Sequence, residues 1–273
     1  PTASVPPGNH DAHCQPGTES PAGPTPGAVT VADCNGEGRP DLSVANNSSA
    51  NVSIVCGNGD GTFGAASSLA TEPAPQSLTA ADVNGDGQID LVVVGSGNNT
   101  ISVMLGNGNG TFQSRKNYPT GSYDPYQIIL TDLDANGTPD IVVANYGNSQ
   151  ITTMVNNGDG TFGAPLNYNI SGNPIAVVAG NFTGDGRTTL ATANQSGSTV
   201  TILSLNDTLT LAEDQVGSVL RTGAGPGNLF ESNDVDYWSF SGRAGGTAVL
   251  AADIPGHHPG SKRHYRPDIP TRA

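Results

Sequence analysis

The nine residues from Asp82 to Asp90 place oxygen-bearing side chains at loop positions 1, 3, 5 and 9, with a glycine at position 6. This spacing lets carboxylates, an amide and the main-chain carbonyl of position 7 converge on a hard cation, and the glycine permits the sharp turn. An EF-hand loop needs a bidentate glutamate at position 12, where this chain has Val93. The run from Leu91 to Val94 predicts a buried strand, not a helix. The sequence therefore predicts a calcium loop between strands.

The same loop recurs along the chain at a nearly constant spacing. It begins again at Asp33, 49 residues earlier, and at Asp132, 50 residues later, and an altered copy begins at Asn181. A second motif, Asn-Gly-Asp/Asn-Gly-Thr-Phe, keeps the same period and ends at Phe63, Phe112 and Phe162. Two motifs that share one period indicate a repeat architecture, and a unit of about 50 residues fits a four-stranded propeller blade.

These paired motifs resemble the FG-GAP/VCBS family of calcium-loop β-propeller repeats, which also form the heads of integrin alpha chains. The resemblance covers residues 27–213 and implies an all-β fold with four visible blades of about 49 residues. The family usually closes seven blades. The sequence leaves open whether the chain is a fragment, a four-bladed ring or an arc that is completed by other copies.

Three of the four loops predict calcium sites, so Ca²⁺ is the expected cofactor, at about three positions. The expected ligands are Asp33, Asn35, Glu37, Arg39 and Asp41 in the first loop, Asp82, Asn84, Asp86, Gln88 and Asp90 in the second, and Asp132, Asp134, Asn136, Thr138 and Asp140 in the third. Arg39, Gln88 and Thr138 occupy position 7 and would bind through their main-chain carbonyls. Glu37 is one methylene longer than the usual residue, so we expect the first site to be the weakest. The fourth loop has Asn181, Thr183 and Thr189 at ligand positions, which predicts a blade without a well-formed calcium site.

The two flanks differ from the repeats in composition. Residues 1–26 hold seven prolines and predict a tail or linker. The stretch from Asn233 to Gly245 resembles the start of the pre-peptidase C-terminal domain, a small β-sandwich appended to secreted bacterial proteins. We therefore expect a partial β-sandwich-like segment over residues 214–273, ending in a basic tail.

Charge and composition narrow the possible partners and location. The net charge of −14 argues against nucleic acid and anionic membranes as partners. The 37 glycines and the low charged fraction of 12% suit an extracellular or cell-surface all-β protein. No apolar run is long enough for a membrane span, and because no signal peptide precedes Pro1 we expect a mature form or a fragment. The register aligns Cys34 with Val83, which favours a small buried hydrophobe over the alternative of a disulfide with Cys14 or Cys56.

The repeats lack the groups that common hydrolytic mechanisms need. All five histidines lie in the flanks, so a Ser-His-Asp or Cys-His device has no base within the repeats. We therefore predict a non-catalytic, calcium-stabilised adhesion or ligand-binding module for a protein or glycan ligand or for other copies of itself. Its contacts would come from Asn-rich loop tips and from Tyr123, Tyr126 and Tyr146. The alternatives are a structural subunit of a surface filament or matrix and, more weakly, an accessory segment of a secreted peptidase.

Overall fold

The structure is a computed structural model that describes residues 18–204 and the backbone of residues 2–5. In this part of the chain the regular elements are strands and one short 3-10 turn at Asn47–Ser49. The strands are β1 (Thr2–Val5), β2 (Thr18–Pro21), β3 (Pro26–Ala32), β4 (Asp41–Asn46), β5 (Asn51–Val55), β6 (Ser67–Ala70), β7 (Pro75–Ala81), β8 (Asp90–Gly95), β9 (Thr100–Met104), β10 (Lys116–Pro119), β11 (Pro125–Thr131), β12 (Asp140–Asn145), β13 (Gln150–Met154), β14 (Leu166–Asn169), β15 (Pro174–Gly180), β16 (Thr189–Asn194) and β17 (Thr199–Ser204). None of the described residues belongs to a helix long and apolar enough to cross a membrane.

The strands from β3 onward form four successive antiparallel sheets. Blade 1 comprises β3 to β6, blade 2 comprises β7 to β10, blade 3 comprises β11 to β14, and blade 4 comprises β15 to β17. The first strands of neighbouring blades contact one another, β3 with β7, β7 with β11, and β11 with β15. The predicted all-β fold of propeller blades is confirmed. Among the described strands, no comparable contact joins β15 back to β3, so the four sheets are not closed into a ring.

The structure describes the segments on either side of the blades only in part. Within the predicted tail, β1 and β2 pair as a separate two-stranded antiparallel sheet. The predicted sandwich-like segment over residues 214–273 lies outside the described residues, so that assignment stays a prediction.

The last strand of each complete blade starts later than the motif suggests. The Asx-Gly turn of the second motif predicts that the last strand of blade 2 begins near Phe112, but Phe112 forms only an isolated bridge with Gly106. Regular pairing with β9 begins at Lys116, which lies opposite Val103. Phe112 instead packs against the core between blades 1 and 2, and the chain needs several more residues to return to the sheet. The Phe of this motif is therefore a core anchor that precedes the strand.

Blades 2 and 3 bury both of their faces, which explains the continuous apolar runs Leu91–Val94 and Ile141–Ala144 in their second strands. In β8 every residue is buried, including the run from Leu91 to Val94. We call the face that carries Leu91 the front and the face that carries Val92 the back. The back of blade 1 packs on the front of blade 2 through a cluster that contains Ala45, Val52, Ile54, Leu78, Leu91, Val93 and Met104.

The same front-to-back packing recurs between the later blades. The back of blade 2 and the front of blade 3 share a cluster that includes Val92, Ile101, Ile128 and Ile141. The back of blade 3 and the front of blade 4 share one that includes Val142, Ile151, Val177 and Leu190. Polar side chains on the first strands add hydrogen bonds between blades. Ser77 accepts the N–H of Ile128 at 3.3 Å, and Gln127 accepts the N–H of Val177 at 2.6 Å.

Removing a side chain between two blades should cost much more stability than removing one from the rim. Ile101 is fully buried between blades 2 and 3, whereas Leu166 on β14 is largely exposed. We expect Ile101→Ala to lower the free energy of unfolding by about 2 to 5 kcal/mol, because it leaves a cavity. Leu166→Ala should change it by no more than about 0.5 kcal/mol. Urea unfolding measures both, and equal effects would contradict this packing.

Candidate functional site

The loop that follows β7 is curled around its first carboxylate. Asp82 accepts the N–H of Gly85 at 2.7 Å through one oxygen and that of Gly87 at 2.8 Å through the other. Gly85 and Gly87 adopt left-handed backbone angles, with φ of 75° and 81°, which turn these amides inward. The backbone of the loop therefore determines its curvature, and the exposed side-chain oxygens project from a turn of defined shape.

The last carboxylate of the loop has a different environment. Asp90 is fully buried, and its two oxygens accept the N–H of Val83 at 2.8 Å and that of Gly106 at 2.7 Å. Asp90 thus joins the start of the loop, the start of β8 and the residues after β9. Asp41 and Asp140 make the equivalent pairs of bonds in blades 1 and 3. We call this arrangement the aspartate clasp.

The sequence analysis treated these three aspartates only as metal ligands and missed their structural role. The sequence did contain a signal for this role, because each of the three aspartates is the first residue of a strand whose other residues are mostly apolar. A carboxylate in such a position is buried, and a buried carboxylate needs hydrogen-bond donors. Backbone amides are the nearest hydrogen-bond donors where the chain enters a loop.

The third loop brings three carboxylates together. Single oxygens of Asp132, Asp134 and Asp140 lie within 4.8 Å of one another. Burial raises the pKa of Asp140, and the neighbouring carboxylates of Asp134 and Asp132 raise it further. Asn136 is held beside them, since its amide donates to Asp134 at 3.1 Å. Three hard oxygens around one point could hold a metal ion, and this donor set fits Ca²⁺ because all the donors are oxygen.

The second loop has the same ligand types in a slightly different arrangement. Asn84 donates to Asp86 at 2.9 Å, and Asp86 accepts the N–H of Gln88 at 2.8 Å. Burial again raises the pKa of Asp90, with smaller contributions from Asp86 and Asp82. Within residues 18–204, the third loop is the one place where three acidic or metal-binding side chains meet within 4.8 Å.

The first loop differs at its fifth position. The carboxylate of Glu37 pairs with the guanidinium of Arg39, and both side chains are about half exposed. Asp33 keeps its structural role and accepts the N–H of Gly38 at 2.7 Å. A cation would have to compete with Arg39 for Glu37, which supports the expectation of a weaker first site.

Cys34, the second residue of the first loop, carries a neutral thiol. It is buried, and burial raises its pKa to about 11. Cys34 and Cys56 are both free, which agrees with the interpretation of these two residues as hydrophobes. Cys14 lies outside the described residues.

The fourth loop keeps half of the clasp and has one carboxylate where each of the other loops has three. Thr189 accepts the N–H of Phe182 at 3.0 Å, as Asp90 does for Val83, and donates to the carbonyl of Gly180 at 2.6 Å. Asp185 is the one acidic residue of this loop, and its carboxylate accepts from Thr183 at 2.8 Å. A hydroxyl can hold the loop entry but supplies no negative charge for a cation.

The first and second loops also contact the turn of the following blade. Asn156, which follows β13 in blade 3, donates to the carbonyl of Val83 in the second loop at 2.8 Å. Gly110, in the turn of blade 2, donates its N–H to the carbonyl of Cys34 in the first loop at 3.0 Å. These two acidic loops are therefore fixed from two sides, by their own blade and by the next one.

Blade 3 carries a cluster of tyrosines on the side opposite the acidic loops of the same strands. Tyr123 is 63% exposed and Tyr126 is 48% exposed. The rings of Tyr126 and Tyr146 lie 6.3 Å apart, centroid to centroid. We call these three residues the tyrosine cluster.

Polar residues hold the backbone beneath this cluster. Asn148 accepts from the Ser122 hydroxyl at 2.6 Å and from the N–H of Tyr123 at 3.3 Å. The register aligns the three tyrosines with Pro73, Gln76 and Ser96 in blade 2, so the repeat itself does not require aromatic rings there. The cluster is therefore a feature particular to blade 3.

The sheets and their acidic loops define a protein of the β-propeller repeat class. A model of the FG-GAP-like repeat matches residues 33–93, 82–143 and 132–192, which together cover more than half of the chain. The chain belongs to this family of FG-GAP-like repeat proteins.

Solved structures with similar folds are more distant. A lectin of Agrocybe aegerita that recognises non-reducing terminal N-acetylglucosamine is 24% identical, with a TM-score of 0.44 over 64% of this chain and 51% of the lectin. BBS1N, solved in complex with ARL6DN, is 12% identical, with a TM-score of 0.47 over 69% of this chain and 60% of the other. The biofilm matrix protein Bap1 of V. cholerae is 19% identical, with a TM-score of 0.35 over 64% of this chain and 30% of Bap1. The chain thus spans between 30% and 60% of the length of these proteins, and no curated protein matches it.

The aspartate clasp predicts two different effects of removing carboxylates from the second loop. In excess chelator, Asp90→Ala should lower the free energy of unfolding by about 2 to 5 kcal/mol, because two backbone N–H groups lose their acceptor. Asp86→Ala removes one exposed acceptor and should cost less than about 1 kcal/mol under the same conditions. Urea unfolding in chelator measures both values. Equal losses would show that Asp90 has no role beyond metal binding.

Proposed function

We propose that this protein is a non-catalytic, calcium-stabilised ligand-binding or adhesion module that works outside the cell. The tyrosine cluster is its contact surface, and a protein or a glycan is its ligand. The observation that carries the proposal is the presence of three aromatic side chains, of which Tyr123 and Tyr126 are exposed, at positions where the repeat requires none. Exposed tyrosines supply large, rigid contact area at low entropic cost, and binding sites favour loops on a rigid scaffold.

Calcium at the first three loops is the proposed source of that rigidity. Extracellular sites bind Ca²⁺ at about 10⁻⁴ to 10⁻³ M. At about 1 mM Ca²⁺, each such site would add about 0.4 to 1.4 kcal/mol of stability. Three sites would contribute about 1 to 4 kcal/mol, a sizeable part of the roughly 5 to 15 kcal/mol of a typical domain.

The roles of the candidate groups support the proposal that the protein is not a catalyst. The clustered aspartates of the three loops have oxygens that already accept backbone N–H bonds, as Asp82 and Asp90 do. The histidines all lie outside residues 18–204, so the described blades hold no imidazole that could act as a base. A carboxylate fixed in this way serves structure and cation binding better than proton transfer.

A structural subunit of a surface filament or matrix is the second candidate. The observation that favours it is the exposure of apolar side chains at the two ends of the described blade series, Val29 and Val31 on β3 and Val200 and Ile202 on β17. The weaker alternative, an accessory segment of a secreted peptidase, concerns residues outside the described part of the chain.

Calcium binding can be tested by calorimetric titration of the metal-free protein. We expect about three sites, of which the first loop is the weakest because Arg39 competes for Glu37. Glu37→Asp should leave the other two sites unchanged and strengthen the first. A stoichiometry near zero, or a site that is lost on Asn181→Ala, would contradict the assignment.

Ligand binding can be tested with immobilised glycans and matrix proteins. Replacing Tyr123, Tyr126 and Tyr146 with alanine should weaken binding at least about tenfold, since aromatic contacts dominate such surfaces. Phe182→Ala removes a comparably exposed ring from the fourth loop and is the matched control. Binding that survives the triple substitution, or turnover of a peptide, ester or glycoside abolished by one substitution, would overturn the proposal.

A further inference from the structure

Blade 3 carries an asparagine at a position where blades 1 and 2 carry glycine. Asn156 forms the same isolated bridge to the motif phenylalanine that Gly57 and Gly106 form in their blades. A Cβ placed at Gly106 would clash with the carbonyl oxygen of Ile89. In blade 3 the asparagine side chain instead donates to the equivalent carbonyl, that of Pro139, at 3.0 Å. The backbone of blade 3 therefore accommodates a side chain that the same turn excludes in blade 2.

Asn156 joins the second and third acidic loops. Its N–H donates to Asp140, the last residue of the third loop, at 2.8 Å. Its side-chain amide donates to the carbonyl of Val83 in the second loop at 2.8 Å. Val83 in turn donates its N–H to Asp90, the last residue of the second loop, at 2.8 Å. A path of hydrogen bonds therefore runs from Asp90 to Asp140 through two residues that are only 1% and 2% exposed, Val83 and Asn156.

The side chain of Asn156 is held in a single orientation. Its oxygen accepts the N–H of Gly158 at 2.9 Å, while its nitrogen donates to the carbonyls of Val83 and Pro139. Both amide hydrogens and the carbonyl oxygen are thus used. A buried polar group that loses its partner is costly, so rotation of this side chain away from either loop is disfavoured. The positions of the two loops are therefore linked through it.

The junction between the first and second loops has no such path. The first loop is reached by Gly110, whose N–H donates to the carbonyl of Cys34 at 3.0 Å. Gly106, the equivalent of Asn156, has no side chain, and its N–H donates to Asp90 at 2.7 Å. Among the described residues, no hydrogen bond of Gly106 reaches the first loop. The clasp of blade 2 is therefore not joined through this residue to the loop before it.

We propose that the second and third loops are coupled calcium sites, joined through Asn156, and that the first loop fills independently of both. This inference rests on the proposed binding of calcium. When either loop holds its cation, its last carboxylate, Asp90 or Asp140, is fixed in one orientation. The hydrogen-bond path then orients the corresponding carboxylate of the other loop, which loses less conformational freedom when it binds. Because the coupling free energy is shared, each site strengthens the other by the same factor.

A calcium titration that resolves the three loops tests this inference. The amides of Gly38, Gly87 and Gly137 each donate to the first carboxylate of one loop, so their NMR signals report the loops separately. Asp134→Ala removes an exposed ligand of the third loop and leaves its clasp in place. It should weaken calcium binding at the second loop at least about fivefold and leave the first loop unchanged. In an Asn156→Ala background, Asp134→Ala should no longer change the affinity of the second loop.

The neighbouring Asn157 provides a matched control. Its side chain donates to the hydroxyl of Thr161 at 2.8 Å, within the same turn, so Asn157→Ala should keep the coupling. In excess chelator, Asn156→Ala should also speed hydrogen exchange at Val83 and Leu133, whose amides donate to the clasp carboxylates of the two loops. Asn157→Ala should leave both exchange rates unchanged.

The possible outcomes separate this inference from the proposed function. Three sites that bind independently, or a coupling that survives Asn156→Ala, would overturn the inference and leave calcium binding intact. A coupling that is lost equally in the Asn157→Ala variant would overturn it as well, whereas a stoichiometry near zero would overturn both proposals. Circular dichroism confirms that each variant is folded. Asn156→Gly restores the residue found in blades 1 and 2, and it replaces the alanine variant if that chain does not fold.

Discussion

The aspartate clasp is the interaction on which the blades depend. A carboxylate buried without partners would be costly, but in blades 1 to 3 each of its oxygens accepts a backbone N–H. One side chain thereby fixes where the acidic loop ends, where the second strand begins and how the third strand leaves the sheet. The same burial raises the pKa of Asp90 and Asp140, because it disfavours the charged form of the carboxyl group. The residue that organises the loop is thus also one of the proposed cation ligands.

The repeat determines which features of this structure can be predicted from the sequence. Loop spacing and strand periodicity predicted the blades because their causes are local, namely glycines with left-handed backbone angles and strands buried on both faces. The late start of β10 was not predictable, because Phe112 leaves the ladder to reach a core shared with another blade. The clasp was missed for a similar reason. Gly106 is 16 residues from Asp90, and nothing in the local sequence reveals that its amide needs this acceptor.

The candidate site divides in the same way. Ligand types at the acidic loops follow from spacing, whereas the competition of Arg39 for Glu37 depends on side-chain conformations. The tyrosine cluster was visible in the sequence as three aromatic residues. The exposure of Tyr123 and Tyr126 and the 6.3 Å approach of two rings depend on how the chain pairs β11 with β12. Comparing one blade with the next separates residues that the repeat needs from residues that only one blade carries.

The uniform front-on-back packing has a consequence for how such a chain can change length. Duplication or loss of one whole unit of about 49 residues leaves every remaining junction of the same kind, because each blade presents one front and one back. A deletion of one residue within a strand would instead reverse which side chains face each neighbour. Growth by entire blades is therefore the tolerated step. The fourth blade, where Thr189 keeps the fold without the carboxylate, shows that a unit inherited in this way can lose its acidic loop chemistry and still retain its sheet.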